Sequence, residues 1–138
     1  MKEVYQVIFT KQKKGNYLVE VPDLDCLTEG KNLSDAIKMA RDVIGIKGIT
    51  LEDMGEKIPK ATNNINIKKG IFYNDGDSTI SYVDVDFDDY RRSIDNKMVR
   101  RNVTLPNWMD RFAEKKHLNV SKILQDAINK LVETKHYA

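Results

Sequence analysis

Alternating polar and apolar positions near the start of the chain predict a β-hairpin. "VYQVIFT" and "YLVEVP" are rich in β-branched and aromatic residues, and Gly15 and Asn16 lie in the turn between them. After Pro22, "CLTEG" predicts a third short strand. The turn signal "NDGD" and the alternating run "STISYVDVDF" predict a fourth. The first part of the chain is therefore expected to contain an antiparallel meander with one strand added later.

A helical period separates the third strand from the fourth. Apolar residues recur on one helical side, at Leu33, Ile37, Ala40, Val43 and Ile44. Asn32 or Ser34 can cap the start of this helix. Glycines at 45, 48 and 55 weaken the pattern beyond it, and "GEKIPKATNNINIKKG" reads as an irregular loop. The order of strand, strand, strand, helix, loop and strand predicts an α+β layer fold. "DDYRRSIDNKM" has no clear apolar period and forms either a linker or a short helix.

The C-terminal segment combines a period of two with two helical periods. In "VRRNVTLP" the alternation places Arg100, Asn102 and Thr104 on one face of a strand; the other face carries Val99, Arg101, Val103 and Leu105. Pro106 suits the first turn of the helix that follows. That helix has an apolar side with Trp108, Met109, Phe112 and Ala113. A second helix, capped by Asn119 or Ser121, has the apolar positions Val120, Ile123, Leu124, Ala127, Ile128 and Leu131.

One strand and two helices in about forty residues are too few to bury a sound core. The sequence offers no disulfide or metal set to replace that core, and the strand has no partner nearby in its own chain. A symmetric homodimer resolves both problems, because two copies of the strand pair antiparallel and the helices of both chains share one core.

A two-stranded ribbon of this kind fits the major groove of DNA. Arg100, Asn102 and Thr104 are side chains that can hydrogen-bond base edges. Arg101, on the inward face, can extend to a phosphate or pair across the dimer. Free amides at the start of the second helix can hold a phosphate, at Val120, Ser121 and Lys122. The alternative is that the outward row is only a solvated strand face.

Charge divides the chain into two parts. Residues 1–90 carry 12 Lys and Arg against 16 Asp and Glu, whereas residues 91–138 carry 11 against 5. This asymmetry suggests partners of opposite charge for the two parts. No apolar run reaches the ~20 residues of a membrane span, the start lacks a secretory pattern, and the single Cys26 cannot form an internal disulfide. A cytoplasmic location is the simplest interpretation.

Acidic residues in the first part offer two interpretations. Asp84, Asp86 and Asp88 alternate along the fourth predicted strand, which permits either a metal-dependent nuclease site or an acidic surface for a basic partner. Asp23, Asp25 and Glu29 are weaker candidates for the same acidic surface. The sequence lacks a Gly-rich phosphate loop, a nucleophile elbow and a Cys/His metal cluster. We therefore predict no enzyme activity, no cofactor and no bound metal, with the nuclease as the alternative.

Two stretches resemble known families. "VRRNVTLPNWMDRFAEKKHLNVSKILQDAINKL" resembles a ribbon-helix-helix DNA-binding domain, although His117 stands where such domains often have Gly. "YQVIFTKQKKGNYLVEVPDLDCLTEGKNLSDAIKMARDVI" resembles the N-terminal domain of HicB antitoxins, with its "Y-x-V-E-x-P-D-L" motif, its "T-x-G" step and a helix that starts "L-x-D-A".

The resemblance implies an antitoxin of a type II toxin-antitoxin system. Residues 1–90 would form a partial RNase H-like domain that binds and inhibits a HicA-type mRNA-cleaving ribonuclease. Residues 91–97 would be a linker, and residues 98–138 a dimeric ribbon-helix-helix domain that binds operator DNA and represses the operon. A higher hetero-oligomer with the toxin is expected, and no membrane partner.

Overall fold

The computed structural model describes residues 1–95 and 97–136. Asn96, inside the predicted linker, and the last two residues of the predicted C-terminal domain lie outside the described residues. The chain divides into two compact units, an N-terminal unit of Met1–Lys97 and a C-terminal unit that begins at Met98. Among the described residues, no helix has the length and apolar character needed to cross a lipid bilayer.

A four-stranded antiparallel sheet forms the N-terminal unit, in the order β3-β2-β1-β4. The strands are β1 (Lys2–Lys11), β2 (Tyr17–Val21), β3 (Cys26–Gly30) and β4 (Asp77–Asp86). Gly15, at φ +96°, supplies the left-handed residue of the β1–β2 turn. The α+β class and the predicted order of strands and helix are confirmed, whereas the likeness to a partial RNase H fold stays a prediction.

Helix α1 (Leu33–Asp53) is longer than its sequence pattern indicates. It begins at the predicted cap, where the Asn32 side chain accepts a hydrogen bond of 2.8 Å from the Asp35 amide. It then continues through Gly45 and Gly48. These glycines lie against a second helix, α2 (Phe87–Ile94), and a Cβ at either position would overlap a ring of that helix. The short-helix alternative for the charged stretch is therefore the one that the structure contains, and the glycines serve helix packing.

Strand β1 is buried on both faces. Tyr5, Val7 and Phe9 pack in the core beneath α1. The opposite face carries the buried Gln6, Ile8 and Thr10, and residues 65–71 of the irregular loop lie against it. Polar side chains of the sheet hold this segment: the Ile65 amide donates to Gln6 Oε1 over 3.2 Å, and the Ile71 amide donates to Glu20 Oε1 over 2.9 Å. The irregular loop is thus a second layer that satisfies its backbone on the sheet.

The C-terminal unit contains two helices, α3 (Asn107–Lys115) and α4 (Val120–His136). In the single chain the segment 98–105 forms neither strand nor helix, and the predicted strand, which requires a second chain, stays a prediction. A strand exists only through hydrogen bonds to a neighbour, and the described residues of this chain provide none for the segment.

Candidate functional site

The C-terminal unit exposes the apolar side chains that its helical periods predict to be a core. Every residue from 98 to 134 is exposed or half-buried. Trp108 is 67% exposed, Phe112 55% and Ile128 52%. The set also includes Val99, Val103, Met109, Leu118, Ile123, Leu124 and Leu131. An isolated domain seldom leaves this much apolar surface in water. These exposed side chains are hereafter called the apolar face.

The polar row lies on the segment before α3. Arg100, Asn102 and Thr104 are exposed, and so is Arg101. Among the described residues, no backbone hydrogen bond joins the N–H and C=O groups of residues 98–105 to the rest of the chain. The segment ends at Pro106, whose carbonyl accepts bonds from the amides of Met109 and Asp110 at the start of α3.

The turn between α3 and α4 contains a left-handed residue other than glycine. His117 has φ +53°. Its amide donates to the Glu114 carbonyl over 3.1 Å, and the Leu118 amide donates to the Ala113 carbonyl over 2.9 Å. This is the Schellman pattern of helix termination, in which glycine usually occupies the left-handed position. His117 therefore strains the turn by about 1 kcal/mol, the penalty for a side chain in this region.

Asn119 caps α4 and changes what its N-terminus can offer a ligand. The Asn119 side chain accepts a hydrogen bond of 3.0 Å from the Lys122 amide. Of the three amides predicted to hold a phosphate, the one of Lys122 is therefore already used within the chain. The amides of Val120 and Ser121 remain for an anion, and Lys122 can contribute through its ammonium group.

The acidic residues of β4 are not gathered into one site. Asp84 pairs with Arg41 of α1 over 2.9 Å. Asp86 caps α2 by accepting from the amides of Asp88 and Asp89. Asp88 lies in the first turn of α2, where it accepts from the N-terminal ammonium over 2.6 Å. The prediction that all three lie on one strand face is thus wrong, because the strand ends at Asp86.

Asp84, Asp86 and Asp88 each have a different partner: Arg41, the first amides of α2 and the N-terminal ammonium. The three carboxylates therefore do not form a metal site. Across residues 1–95 and 97–136, no group of three His, Cys, Asp or Glu side chains is placed to hold a metal ion. The geometry therefore does not favour the nuclease alternative.

A profile of the HicB-like antitoxins of bacterial toxin-antitoxin systems matches residues 5–128. The chain belongs to this family. The UPF0150 protein Ta0767 of Thermoplasma acidophilum is 39% identical over 57 residues, which cover 41% of this chain and 83% of that protein.

Two solved structures resemble the whole of this HicB-like antitoxin. One, described as a toxin-antitoxin complex from Streptococcus pneumoniae, has a TM-score of 0.60 and 25% identity, and the match covers 94% of this chain and 99% of that one. The antitoxin HicB of Burkholderia pseudomallei has a TM-score of 0.50 and 23% identity, over 96% of this chain and 98% of the other, and supports the fold alone.

The weaker acidic candidates of the antitoxin differ in what they can offer a partner. Asp23 uses both carboxylate oxygens to bind Thr62, accepting from its amide and its hydroxyl, each over 2.8 Å. It therefore anchors the segment 54–76. Asp25, at φ +51°, and Glu29, on β3, are exposed and remain available for contacts.

Sequence reasoning missed Arg41, which forms an ion pair with Asp84. Its guanidinium donates to both the carboxylate and the carbonyl of Asp84, each over 2.9 Å. The hydrogen bond from Arg41, together with its positive charge, holds the pKa of the Asp84 carboxyl below its usual value. The two residues are 43 positions apart and belong to different elements, so no local period indicates that they meet.

Proposed function

We propose that this HicB-like antitoxin binds and inhibits a HicA-type mRNA-cleaving ribonuclease, and that it represses its own operon as a homodimer on operator DNA. It acts by binding and not as an enzyme, in the cytoplasm where mRNA and the operon lie. The observation that carries the proposal is the apolar face, because an unburied core next to an unpaired extended segment calls for a second chain.

Dimerisation gives the polar row its function. When two copies of the segment 98–105 pair antiparallel, Val99, Val103 and Leu105 turn toward the shared core. Arg100, Asn102 and Thr104 then form one outward face from both chains, and their groups suit guanine, adenine and thymine edges in the major groove. The amides of Val120 and Ser121, with the ammonium of Lys122, position the ribbon by binding a backbone phosphate.

The N-terminal unit is the part that we assign to the toxin. It holds most of the acidic residues of the chain, and a HicA-type toxin is a basic protein. Asp25 and Glu29 are free for this contact, whereas Asp23, Asp84, Asp86 and Asp88 hold the fold and contribute to the negative field. The match to a chain from a toxin-antitoxin complex supports a toxin as the partner.

Operator binding is the direct test of the DNA assignment. Arg100→Ala and Asn102→Ala should each weaken binding to the DNA upstream of the gene by about 1–3 kcal/mol, with less effect on random DNA. Lys130→Ala on α4 is the control, since it removes a charge from the same unit at a position that the proposal does not assign to DNA. Equal effects of all three variants on specific binding would refute base recognition by the polar row.

A further inference from the structure

A cavity of about 250 Å³ lies between the sheet and the irregular loop of the N-terminal unit. The sheet contributes Ile8 of β1 and Glu20 of β2 to its wall, and the loop contributes Asn64, Asn66 and Lys69. The three loop residues are exposed, so the cavity opens to solvent on that side. Pockets that hold whole small molecules have volumes of roughly 300–1,000 Å³. This cavity therefore suits a single side chain or a group of similar size.

Glu20 is a buried charged residue with an unused acceptor in this wall. The residue is 9% exposed. Its Oε1 accepts from the Ile71 amide over 2.9 Å, whereas its Oε2 has no hydrogen-bond or ion-pair partner among the residues that the structure describes. A carboxylate can accept about four hydrogen bonds, and a buried charge is costly unless it is paired and hydrogen-bonded. A donor for Oε2 can enter through the cavity, since the Glu20 side chain lines it.

The cation nearest at hand does not neutralise this carboxylate. Lys69 lines the same cavity, but no ion pair in the described part of the chain joins it to Glu20. An exposed ammonium is strongly hydrated and gains little from a pair at the surface. The negative charge of Glu20 is therefore available to a positive group from outside the chain.

The chemistry of the wall favours a guanidinium over a metal ion. Glu20 is the single carboxylate that lines the cavity, and the described residues contain no group of three His, Cys, Asp or Glu placed to hold a metal. Asn64 and Asn66 add side-chain amide oxygens, which accept hydrogen bonds. A guanidinium offers five N–H donors in a planar fork and is weakly hydrated, so it suits a buried carboxylate. The methylene groups of an arginine can pack against the apolar wall at Ile8.

We propose that the cavity binds one arginine side chain of a basic partner protein, whose guanidinium donates to Glu20 Oε2. The partner is the toxin if the proposed function holds, and the identity of the partner rests on that function. The excess of acidic residues in the N-terminal unit attracts a basic protein. An arginine in a desolvated pocket is among the contacts that contribute most to binding energy in protein interfaces.

An isosteric change at Glu20 tests the pairing in the complex. Glu20→Gln removes the charge, and the glutamine oxygen can still accept from the Ile71 amide, which keeps the loop on the sheet. Glu56→Gln is the matched control, because it removes the same charge at an exposed position of the same loop. We expect Glu20→Gln to raise the Kd for a purified HicA-type toxin by about 10–100-fold in calorimetry, and Glu56→Gln to leave it within about 3-fold. Equal Kd values for the two variants would overturn the inference.

A small probe tests the cavity in the full chain without the toxin. N-acetyl-arginine amide should produce saturable NMR shifts at the Gly70 and Ile71 amides, and Glu20→Gln should abolish them. N-acetyl-citrulline amide has nearly the same shape without the charge and should produce none. Asn64→Asp adds a second carboxylate to the wall and should tighten binding of the arginine probe by about 2–5-fold. Equal shifts with the citrulline probe, or no saturable shift with arginine, would contradict the site.

The outcomes distinguish the cavity from the proposed function. Saturable arginine binding by a chain that does not bind the toxin supports the cavity and contradicts the proposed partner. A toxin that binds the wild type and Glu20→Gln equally well contradicts the cavity and leaves the proposed function standing. If hydrogen exchange shows that Glu20→Gln releases the Ile71 amide, Asn64→Asp decides, because arginine binding that is unchanged or weaker in that variant would overturn the inference.

Discussion

Truncation of Phe112 offers a quantitative test of the apolar face. The side chain is 55% exposed in the single chain. A phenylalanine can bury roughly 200 Å², so about 110 Å² per chain is available for burial in a dimer. At ~25 cal/mol per Å² this area corresponds to about 5 kcal/mol for the two copies, as an upper value. Since alanine retains part of the area, we expect Phe112→Ala to cost about 3–4 kcal/mol of dimerisation free energy, or 10²–10³-fold in Kd.

Sedimentation equilibrium over a range of protein concentrations measures this change. Arg111→Ala is the matched control, because it shortens the adjacent side chain of α3, which the period places off the apolar face. A Kd for Phe112→Ala equal to that of Arg111→Ala would show that Phe112 lies outside the interface.

Three further predictions concern the turn, the helix contact and the ion pair. His117→Gly should raise the unfolding free energy by about 0.5–1 kcal/mol in denaturant titrations, since glycine removes the left-handed strain but adds freedom to the unfolded chain. Gly48→Ala should lower it by about 1–3 kcal/mol, because the added methyl overlaps the Phe87 ring. In an NMR titration, Asp84 should have a pKa below the ordinary 3.8, and Arg41→Ala should raise it.

Each of these has its own control. His117→Asn should gain less than glycine because asparagine tolerates the left-handed region only in part, and equal losses in both would contradict the strain. Gly48→Ala combined with Phe87→Ala should cost less than the sum of the two changes. The lowered pKa of Asp84 means that its ion pair adds stability above pH 3.8 and loses it as the pH falls further. The side chain is exposed, so the gain is below about 1 kcal/mol.

Local patterns were enough to predict most of the N-terminal unit. The hairpin, the third and fourth strands and the cap at Asn32 each depend on neighbouring residues, and the structure has all of them. The length of α1 could not be predicted in the same way. Gly45 and Gly48 disfavour a helix by propensity, and only their packing against the distant Phe87 and Tyr90 explains why it continues.

Contacts between distant segments explain most of the remaining differences between the sequence patterns and the structure. The segment 54–76 looks irregular in sequence because Gln6 and Glu20, on separate strands, supply its hydrogen-bond partners. The alternation of aspartates continues to Asp88 and predicts a strand there, although Asp86 ends the strand by capping α2. The segment 98–105 has a strand pattern without a strand in the single chain, which the proposed pairing with a second chain would explain.

The emission of Trp108 tests the central claim most directly. It is the single tryptophan of the chain and is 67% exposed when the chain is alone. Pairing through the apolar face would bury it, so its emission should shift to shorter wavelength as protein concentration rises, in parallel with the rise from monomer to dimer mass. Emission that stays at the wavelength of a solvent-exposed indole at every concentration, together with a monomer mass, would contradict the claim that two chains share this core.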